Sequence, residues 1–144
     1  QQAEDYAAAR SAYGRALSLF PERAQTHYRS GTLHEIQKNL RKAQTAYEKA
    51  LSLDPDYIAA RGSLAIVLAR QGAAAESLEH FEQALAAIPD NASWRFSYAL
   101  ALLKSNQAPR AFAEFEKIDP KKLPALQRAA LEEMRRKMKK NNDE

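Results

Sequence analysis

Small and aromatic residues recur along this chain at a fixed spacing, with polar and charged residues between them. The segment 42–56, KAQTAYEKALSLDPD, has close counterparts upstream and downstream and a weaker one at 109–120, PRAFAEFEKIDP. The step from one copy to the next is constant, and the matching positions are Ala9, Tyr13, Ala16, Pro21; Ala43, Tyr47, Ala50, Pro55; Ser77, Phe81, Ala84, Pro89; and Ala111, Phe115, Ile118. Self-similarity at a fixed period predicts a repeat protein whose units bury their apolar faces against one another.

Apolar positions three and four residues apart predict two helices in every period. The predicted helices span 7–19, 24–37, 41–53, 57–71, 74–88, 91–105, 109–118 and 124–140. Residues 1–6 are predicted to form the end of an earlier helix and a turn, and 141–144 a frayed polar end. In the last helix, the residues predicted to face inward are Leu126, Ala130, Met134 and Met138.

Several helix ends have a specific chemical signal. Phe20 and Pro21 are predicted to end the first helix, whose apolar face includes Leu17. Gly72 is predicted to end another in the left-handed conformation that glycine adopts without strain. Asn91 is predicted to be an N-cap, and Pro109 is predicted in a first helical turn, where its missing N–H costs little.

Two antiparallel helices in every period resemble the tetratricopeptide repeat, whose unit is about 34 residues long. In that family small residues lie where paired helices touch, and a proline follows the second helix. The residues that carry the resemblance are Gly31, Ala43, Tyr47, Ala50, Pro55; Leu64, Ala65, Ser77, Phe81, Ala84, Pro89; and Tyr98, Ala99, Ala111, Phe115. One departure is that His27, Arg61 and Arg95 stand where the family has an early aromatic residue, with Trp94 one place away.

The resemblance implies an all-α fold, a right-handed α-solenoid of antiparallel helix pairs closed by a C-terminal capping helix. The whole chain, 1–144, is then a single domain. Its parts are a half repeat at 1–23, full repeats at 24–57, 58–91 and 92–125, a capping helix at 126–140 and a tail at 141–144. The chain begins with Gln1 rather than Met, and its first helix has no paired helix before it, so we expect a piece of a longer protein.

Composition excludes some kinds of chemistry. The chain has no cysteine, which removes disulfides, thiolate catalysis and cysteine-based zinc sites. The net charge of +4 is uneven, because residues 121–140 hold eight Lys or Arg against two Glu. The rest of the chain is slightly acidic, so no nucleic-acid partner is predicted. No apolar run is long enough to span a membrane, and we expect a soluble, cytoplasmic or periplasmic protein or the soluble part of a longer one.

The histidines invite a metal or catalytic interpretation, but the sequence does not favour it. His27 and His34 lie on one helix face without an HExxH motif or a carboxylate at ligand spacing, and they are predicted to be packed side chains. His80 is predicted to pair with Glu76 on a helix surface. We therefore predict no metal, no cofactor, no catalytic residue and no enzymatic activity.

The basic segment 135–140, RRKMKK, has two interpretations. Its cations can complement the negative end of the last helix, or they can form a docking patch for an acidic partner. The first is favoured, because no aromatic residue interleaves with these charges.

The resemblance implies that the first helix of each pair lines a concave groove. The predicted groove residues are Gln25, Tyr28, Thr32, Glu35, Gly62, Ile66, Ser93, Phe96 and Leu100, with Ala59, Ala69 and Leu103 on the same stripes. Such a groove is small to apolar with an aromatic residue at each end, Tyr28 and Phe96, and suits an apolar peptide or amphipathic helix. Part of this stripe can instead be interior packing or lie under the chain's own flanking segment.

Relatives that bind the acidic tail of chaperones use Lys and Asn on this stripe. This chain has Tyr28, Thr32, Ser63, Ser93 and Ser97 there, so an acidic chaperone tail is not the predicted ligand. The predicted function is a non-catalytic scaffold that binds a protein or peptide. The alternatives are self-association through the open N-terminal helix, giving a homodimer, and a docking arm of an enzyme whose catalytic domain lies elsewhere. Alanine-rich stretches such as QGAAAES resemble bacterial members of the family.

Overall fold

A computed structural model describes residues 1–19 and 23–144, except for the side chains at 17 and 18, and within these ranges the chain is helical without a strand. The predicted helix end at Phe20 and Pro21, and the inward face assigned to Leu17, lie outside the described residues. The helices are α1 (Gln2–Leu19), α2 (Ala24–Ile36), α3 (Leu40–Leu53), α4 (Ile58–Arg70), α5 (Ala74–Ala87), α6 (Ala92–Lys104), α7 (Ala108–Glu116) and α8 (Ala125–Asn142), with a short 3₁₀ turn at Pro120–Lys122.

The helices pack as successive pairs, which makes the fold an α-solenoid. The most extensive contacts join α2 to α3, α4 to α5 and α6 to α7, and the next join each pair to the following one. Helix α1 contacts α2 more sparsely, and α8 covers α6 and α7 at the other end. Every unit is therefore stabilised mainly by its immediate neighbours, as in other repeat arrays.

The repeating positions form the centre of the core. Tyr47, Phe81 and Phe115, which occupy one position in three successive repeats, are all fully buried, and so are the small residues that accompany them. In the first copy, Tyr13 is only partly buried, because α1 has a neighbour on one side only among the described helices. Burial of the aromatic series was predicted, and it is confirmed for the three complete copies.

Two glycines make room for aromatic rings. A Cβ atom on Gly31 would lie 2.5 Å from the Tyr47 ring, and one on Gly62 would lie 2.3 Å from the Trp94 indole. Both distances are far below a normal contact, so only glycine allows these rings to lie flat on the helix. Gly31 therefore makes room for the Tyr47 ring, whereas its expected role was to let two helix backbones approach closely.

Three helices end in the same way, one in each full repeat. Lys38, Gly72 and Asn106 all have positive φ, at 59°, 88° and 59°, and each is followed by a hydrogen bond closing a six-residue loop. For α4 these bonds run from Gly72 N to Ala69 O, 3.1 Å, and from Ala73 N to Leu68 O, 2.9 Å. This is a Schellman motif, as predicted for Gly72, and here it satisfies the last carbonyls of α2, α4 and α6.

Where the family has an early aromatic residue, two arginines anchor the helix to the preceding turn. Arg61 donates to the carbonyl of Pro55 at 2.9 Å, and Arg95 donates to that of Pro89. The predicted N-cap is also present, since the Asn91 side chain accepts from Trp94 N at 3.0 Å, and Pro109 lies in the first turn of α7. At positions 61 and 95, hydrogen bonds from arginine therefore take the place of the aromatic packing that the family has there. The turn carbonyls that accept them would otherwise lack partners.

Two predictions at the ends of the chain are wrong. Residues 2–6 belong to α1, which is continuous, because nothing in QAEDYAAA breaks a helix and its acidic residues favour a first turn. In α8, Leu126 is 84% exposed, whereas Leu131 is fully buried and Met138 is 8% exposed. The predicted inward face of α8 is therefore wrong for Leu126, whereas Met138 is buried and Ala130 and Met134 pack half-buried against the core, with Leu131 as a further core residue.

Candidate functional site: a cleft on the concave face

The first helices of two successive pairs, α4 and α6, border a cleft of about 230 Å³. We call it the concave cleft, and its lining residues are Ile66, Ala69, Arg70, Ser97, Leu100, Ala101, Lys104 and Gln127. Its floor is aliphatic, while the two cations stand in the last turns of α4 and α6. Clefts of this kind, apolar with a few polar groups at the edge, are where proteins commonly bind ligands.

Of the predicted groove residues, Ile66 and Leu100 line this cleft together, and Ala69 lies beside them. Both large side chains are half-buried, so part of each remains accessible. Ser93 lies one to two turns away and donates from Oγ to Gln127 Oε1 of α8 at 3.2 Å. The capping helix therefore closes one end of the predicted stripe, which was the alternative interpretation of that segment.

Phe96 and Gly62 are placed in the interior. Phe96 is 5% exposed, and its ring packs edge-on against Phe115 with centroids 5.8 Å apart. Gly62 is covered by the Trp94 indole. The expected exposed aromatic at Phe96 is thus wrong, since a phenyl ring is more stable packed on Phe115 than in contact with water.

At the other end of the predicted stripe the residues do not converge on the concave cleft. Gln25 and Thr32 are exposed, and Thr32 Oγ1 donates to the carbonyl of Tyr28. The Tyr28 ring is half-buried between Tyr47 and Tyr57, with centroids 5.7 and 5.1 Å away. Tyr28 is thereby held by aromatic packing with only part of its ring accessible.

Glu35 joins two repeats. It accepts a hydrogen bond from the Tyr47 hydroxyl on one oxygen and lies 3.5 Å from Arg70 Nη1 with the other. Burial and the Glu35 carboxylate raise the pKa of Tyr47 above its usual range, so this phenol stays a donor. A structural role therefore accounts for the contacts of Glu35.

The sequence did not single out Arg70, Lys104 or Gln127 as groove residues. Moving the first stripe by two repeat periods places it at 93, 96, 100 and 103, whereas the residues of α6 that line the cleft are 97, 100, 101 and 104. A usable signal exists in the sequence, because Arg70 and Lys104 are themselves one repeat period apart at the C-terminal ends of first helices.

His27, His34 and His80 are all half-buried, and His27 and His34 line a surface cleft together with Lys42. Burial lowers the pKa of His34, and nearby Lys42 lowers it further. His80 Nδ1 accepts from Arg61 at 3.3 Å, so its direct partner is Arg61 and not Glu76. Within the ranges 1–19 and 23–144, no three His, Cys, Asp or Glu side chains are grouped to hold a metal ion.

Several cations of the last helix have structural contacts. Arg135 donates to the carbonyls of Phe115 and Ile118, both at 2.8 Å, at the C-terminal end of α7. Arg128 donates to those of Pro120 and Leu123, and Lys137 pairs with Glu133 at 3.1 Å. Within the segment 135–140, Arg135 therefore contacts the end of α7 and not the end of α8, and Lys137 pairs with a carboxylate of its own helix.

The fold and the cleft define a helical-repeat protein with an apolar cleft between the first helices of two successive pairs. Two sequence models described as the tetratricopeptide repeat match residues 22–90 and 63–125, which together cover most of the chain. The chain belongs to the tetratricopeptide repeat family. Members of this family are generally non-catalytic scaffolds for protein–protein interaction, and the chain has the fold of such a scaffold.

Solved structures show the same fold at low sequence identity. YrrB, described as a TPR protein with an unusual peptide-binding site, superposes with a TM-score of 0.73 at 20% identity, covering 80% of this chain and 59% of YrrB. MamA gives 0.68 at 19% identity, covering 88% of this chain and 64% of its own. A tetratricopeptide repeat protein from Parabacteroides merdae ATCC 43184 gives 0.68 at 22% identity, covering 91% and 51%. A comparison with curated proteins finds no match.

This chain therefore spans only about half to two thirds of the length of these similar structures. None of the helices in the described part of the chain has the length and apolar character that a bilayer crossing requires.

Proposed function

We propose that the chain is a non-catalytic scaffold that binds a peptide or helix of a partner protein in the concave cleft. The single observation that supports this most is the exposure of Ile66 and Leu100 side by side between two first helices. Both belong to the groove predicted from the sequence. An aliphatic floor with polar side chains at its edge is suited to anchoring one face of an amphipathic segment.

The size of the cleft limits what it accepts. About 230 Å³ is below the range of roughly 300–1,000 Å³ that holds drug-sized ligands, so one or two apolar side chains of a longer segment are the fitting occupants. Affinity then arises from a few anchor residues and from contacts along the flanking groove.

A comparison of two double variants tests the proposal. Ile66→Ser with Leu100→Ser removes the aliphatic floor, whereas Ile88→Ser with Leu126→Ser makes the same chemical change at two exposed residues outside it. Each variant is used as bait in extracts of the source cell after circular dichroism confirms its helicity. A partner retained by the wild type and the control pair but lost by the Ile66/Leu100 pair supports the proposal. Equal retention by both pairs contradicts it.

A second candidate, self-association, is favoured by one surface of α1 and α2. Tyr6 is 41% exposed and Ile36 is 52% exposed, and with Ala9, Tyr13 and Leu33 they border a cleft of about 220 Å³. Exposed apolar residues that cluster in this way commonly mark interaction sites. A mass in sedimentation equilibrium that stays monomeric at all concentrations would exclude this candidate for the chain.

A further inference from the structure

The charged side chains that line the concave cleft are both basic. Arg70 and Lys104 occupy the same position of consecutive repeats, and no acidic residue of the described chain is part of the lining. Each therefore stands at the same edge of an apolar floor made by Ile66, Ala69 and Leu100. The stripe expected to form the groove contains neither of them.

The two cations differ in how much of their charge is already compensated. Arg70 Nη1 lies 3.5 Å from Glu35 Oε1, and its side chain is still 47% exposed. Within the described residues, no carboxylate oxygen lies within 4 Å of the Lys104 ammonium group. A carboxylate placed over this edge would be attracted by both and would compete only with one long ion pair.

The helix dipole also favours cations at helix C-termini. The dipole accounts for a basic residue in the last turn, but it acts equally at a solvated edge. It does not require both cations to border the aliphatic cleft between α4 and α6. The position of Arg70 and Lys104 at the edge of the cleft is therefore the observation that indicates a role in binding a ligand.

We infer that the segment bound in the concave cleft is an acidic amphipathic peptide, whose apolar side chain enters between Ile66 and Leu100 and whose carboxylate contacts Arg70 and Lys104. This inference rests on the proposed function and adds the chemistry of its partner. The arrangement combines burial of an apolar anchor with a charge-assisted hydrogen bond at the rim, where it also sets the orientation of the peptide.

Three matched peptides provide the probe. Each is short, acetylated, amidated and fluorescein-labelled, with Leu at three- and four-residue spacing, and the flanking positions are Glu in one, Gln in the second and Lys in the third. Fluorescence anisotropy measures their affinity for the wild type at low and high salt. We expect the Glu peptide to bind about tenfold more tightly than the Gln peptide, as one charge-assisted hydrogen bond predicts, and the Lys peptide to bind most weakly. Salt should reduce that preference.

Two double variants with the same net charge show where on the protein the preference for the Glu peptide arises. Arg70→Gln with Lys104→Gln should make the Glu and Gln peptides bind equally, whereas Lys139→Gln with Lys140→Gln, two exposed cations at the end of α8, should preserve the preference. A wild type that binds no peptide, or binds Glu and Gln peptides equally, overturns the inference. So does a preference that is lost with the Lys139/Lys140 pair.

The same peptides distinguish failure of the inference from failure of the proposed function. If the wild type binds Glu and Gln peptides equally and Ile66→Ser with Leu100→Ser abolishes both, the cleft binds peptides but its cations do not select them. If the Ile66/Leu100 pair changes no affinity, both are wrong. If the Arg70/Lys104 pair converts a dimer to a monomer in sedimentation, the occupant is a second copy of this chain, which also overturns the inference.

Discussion

Individual residues in this protein are constrained mainly by aromatic rings that lie on glycine or pack against other rings. Gly31 lies beneath Tyr47 and Gly62 beneath Trp94, while Phe96 packs on Phe115. The sequence indicated that a small residue was needed at Gly31, but it assigned Gly62 to the groove and did not indicate which aromatic side chain would fill either space. The Gly62–Trp94 contact joins two repeats, and periodicity within one repeat does not specify such a contact.

Gly62→Ala should destabilise the protein by about 1–3 kcal/mol, because its Cβ would lie 2.3 Å from Trp94 and the indole would have to move. Urea unfolding followed by Trp94 fluorescence measures the change. Gly14→Ala is the matched control, since nothing lies within 4 Å of its Cβ and alanine favours a helix. Equal stability of the two variants would show that the Trp94 contact does not constrain position 62.

His80 makes the stability of the second repeat depend on pH. Burial lowers its pKa and Arg61 lowers it further, against the opposing charges of Glu79 and Glu76 on its own helix and Glu48 on α3. Because the unfolded chain then binds a proton more readily, stability is present above the ordinary histidine pKa of about 6.5 and is lost as the pH falls towards the lower folded value. Protonation also opposes the hydrogen bond from Arg61.

Lowering the pH from neutral to mildly acidic values should therefore reduce the melting temperature of His80→Gln by less than it reduces that of the wild type. Differential scanning calorimetry at both pH values measures this. His34→Gln is made alongside, because the pKa of His34 is also lowered and accounts for another share of the loss. An unchanged pH dependence in His80→Gln would contradict the effect assigned to the Arg61 contact.

At the scale of helices, the sequence predicted the number and pairing of elements well and their exact ends and faces less well. The repeat period indicated every helix pair, and Gly72, Asn91 and Pro109 indicated their local ends. The left-handed ends at Lys38 and Asn106 were not predicted as such, since neither residue is glycine. They form because the Schellman hydrogen bonds recur in each repeat and impose positive φ on whichever residue occupies the position.

Lys38→Gly should stabilise the protein by up to about 1 kcal/mol, because a residue with a side chain is strained in the left-handed region and glycine is not. Asn106→Gly should give a smaller gain, since asparagine tolerates this region better. Thermal unfolding of both variants and of Lys38→Ala tests the order. A destabilised Lys38→Gly, or an alanine variant as stable as the glycine one, would argue against backbone strain at this position.

At the scale of the whole molecule, the repeated architecture was predictable and the lining of the proposed binding surface only partly so. The stripe predicted from the sequence contains Ile66 and Leu100. It also includes Phe96, which is buried in the core, and it omits Arg70 and Lys104. The reason is geometric: the residues of α6 that line the cleft are shifted along the helix relative to a copy of the first stripe. The position of Gln127 at the cleft depends on the packing of α8, and this packing is formed by contacts between residues that are far apart in the sequence.

Site-specific photo-crosslinking tests the central claim most directly. A photoreactive p-benzoylphenylalanine is placed at position 100 in the concave cleft or, as the control, at position 126, which is 84% exposed on α8 and does not line the cleft. Both proteins are expressed in the source cell and irradiated, and the adducts are identified by mass spectrometry. We predict one dominant protein adduct from position 100 that is absent from position 126. Adducts that are the same from both positions, or that arise from position 126 alone, would contradict binding in the concave cleft.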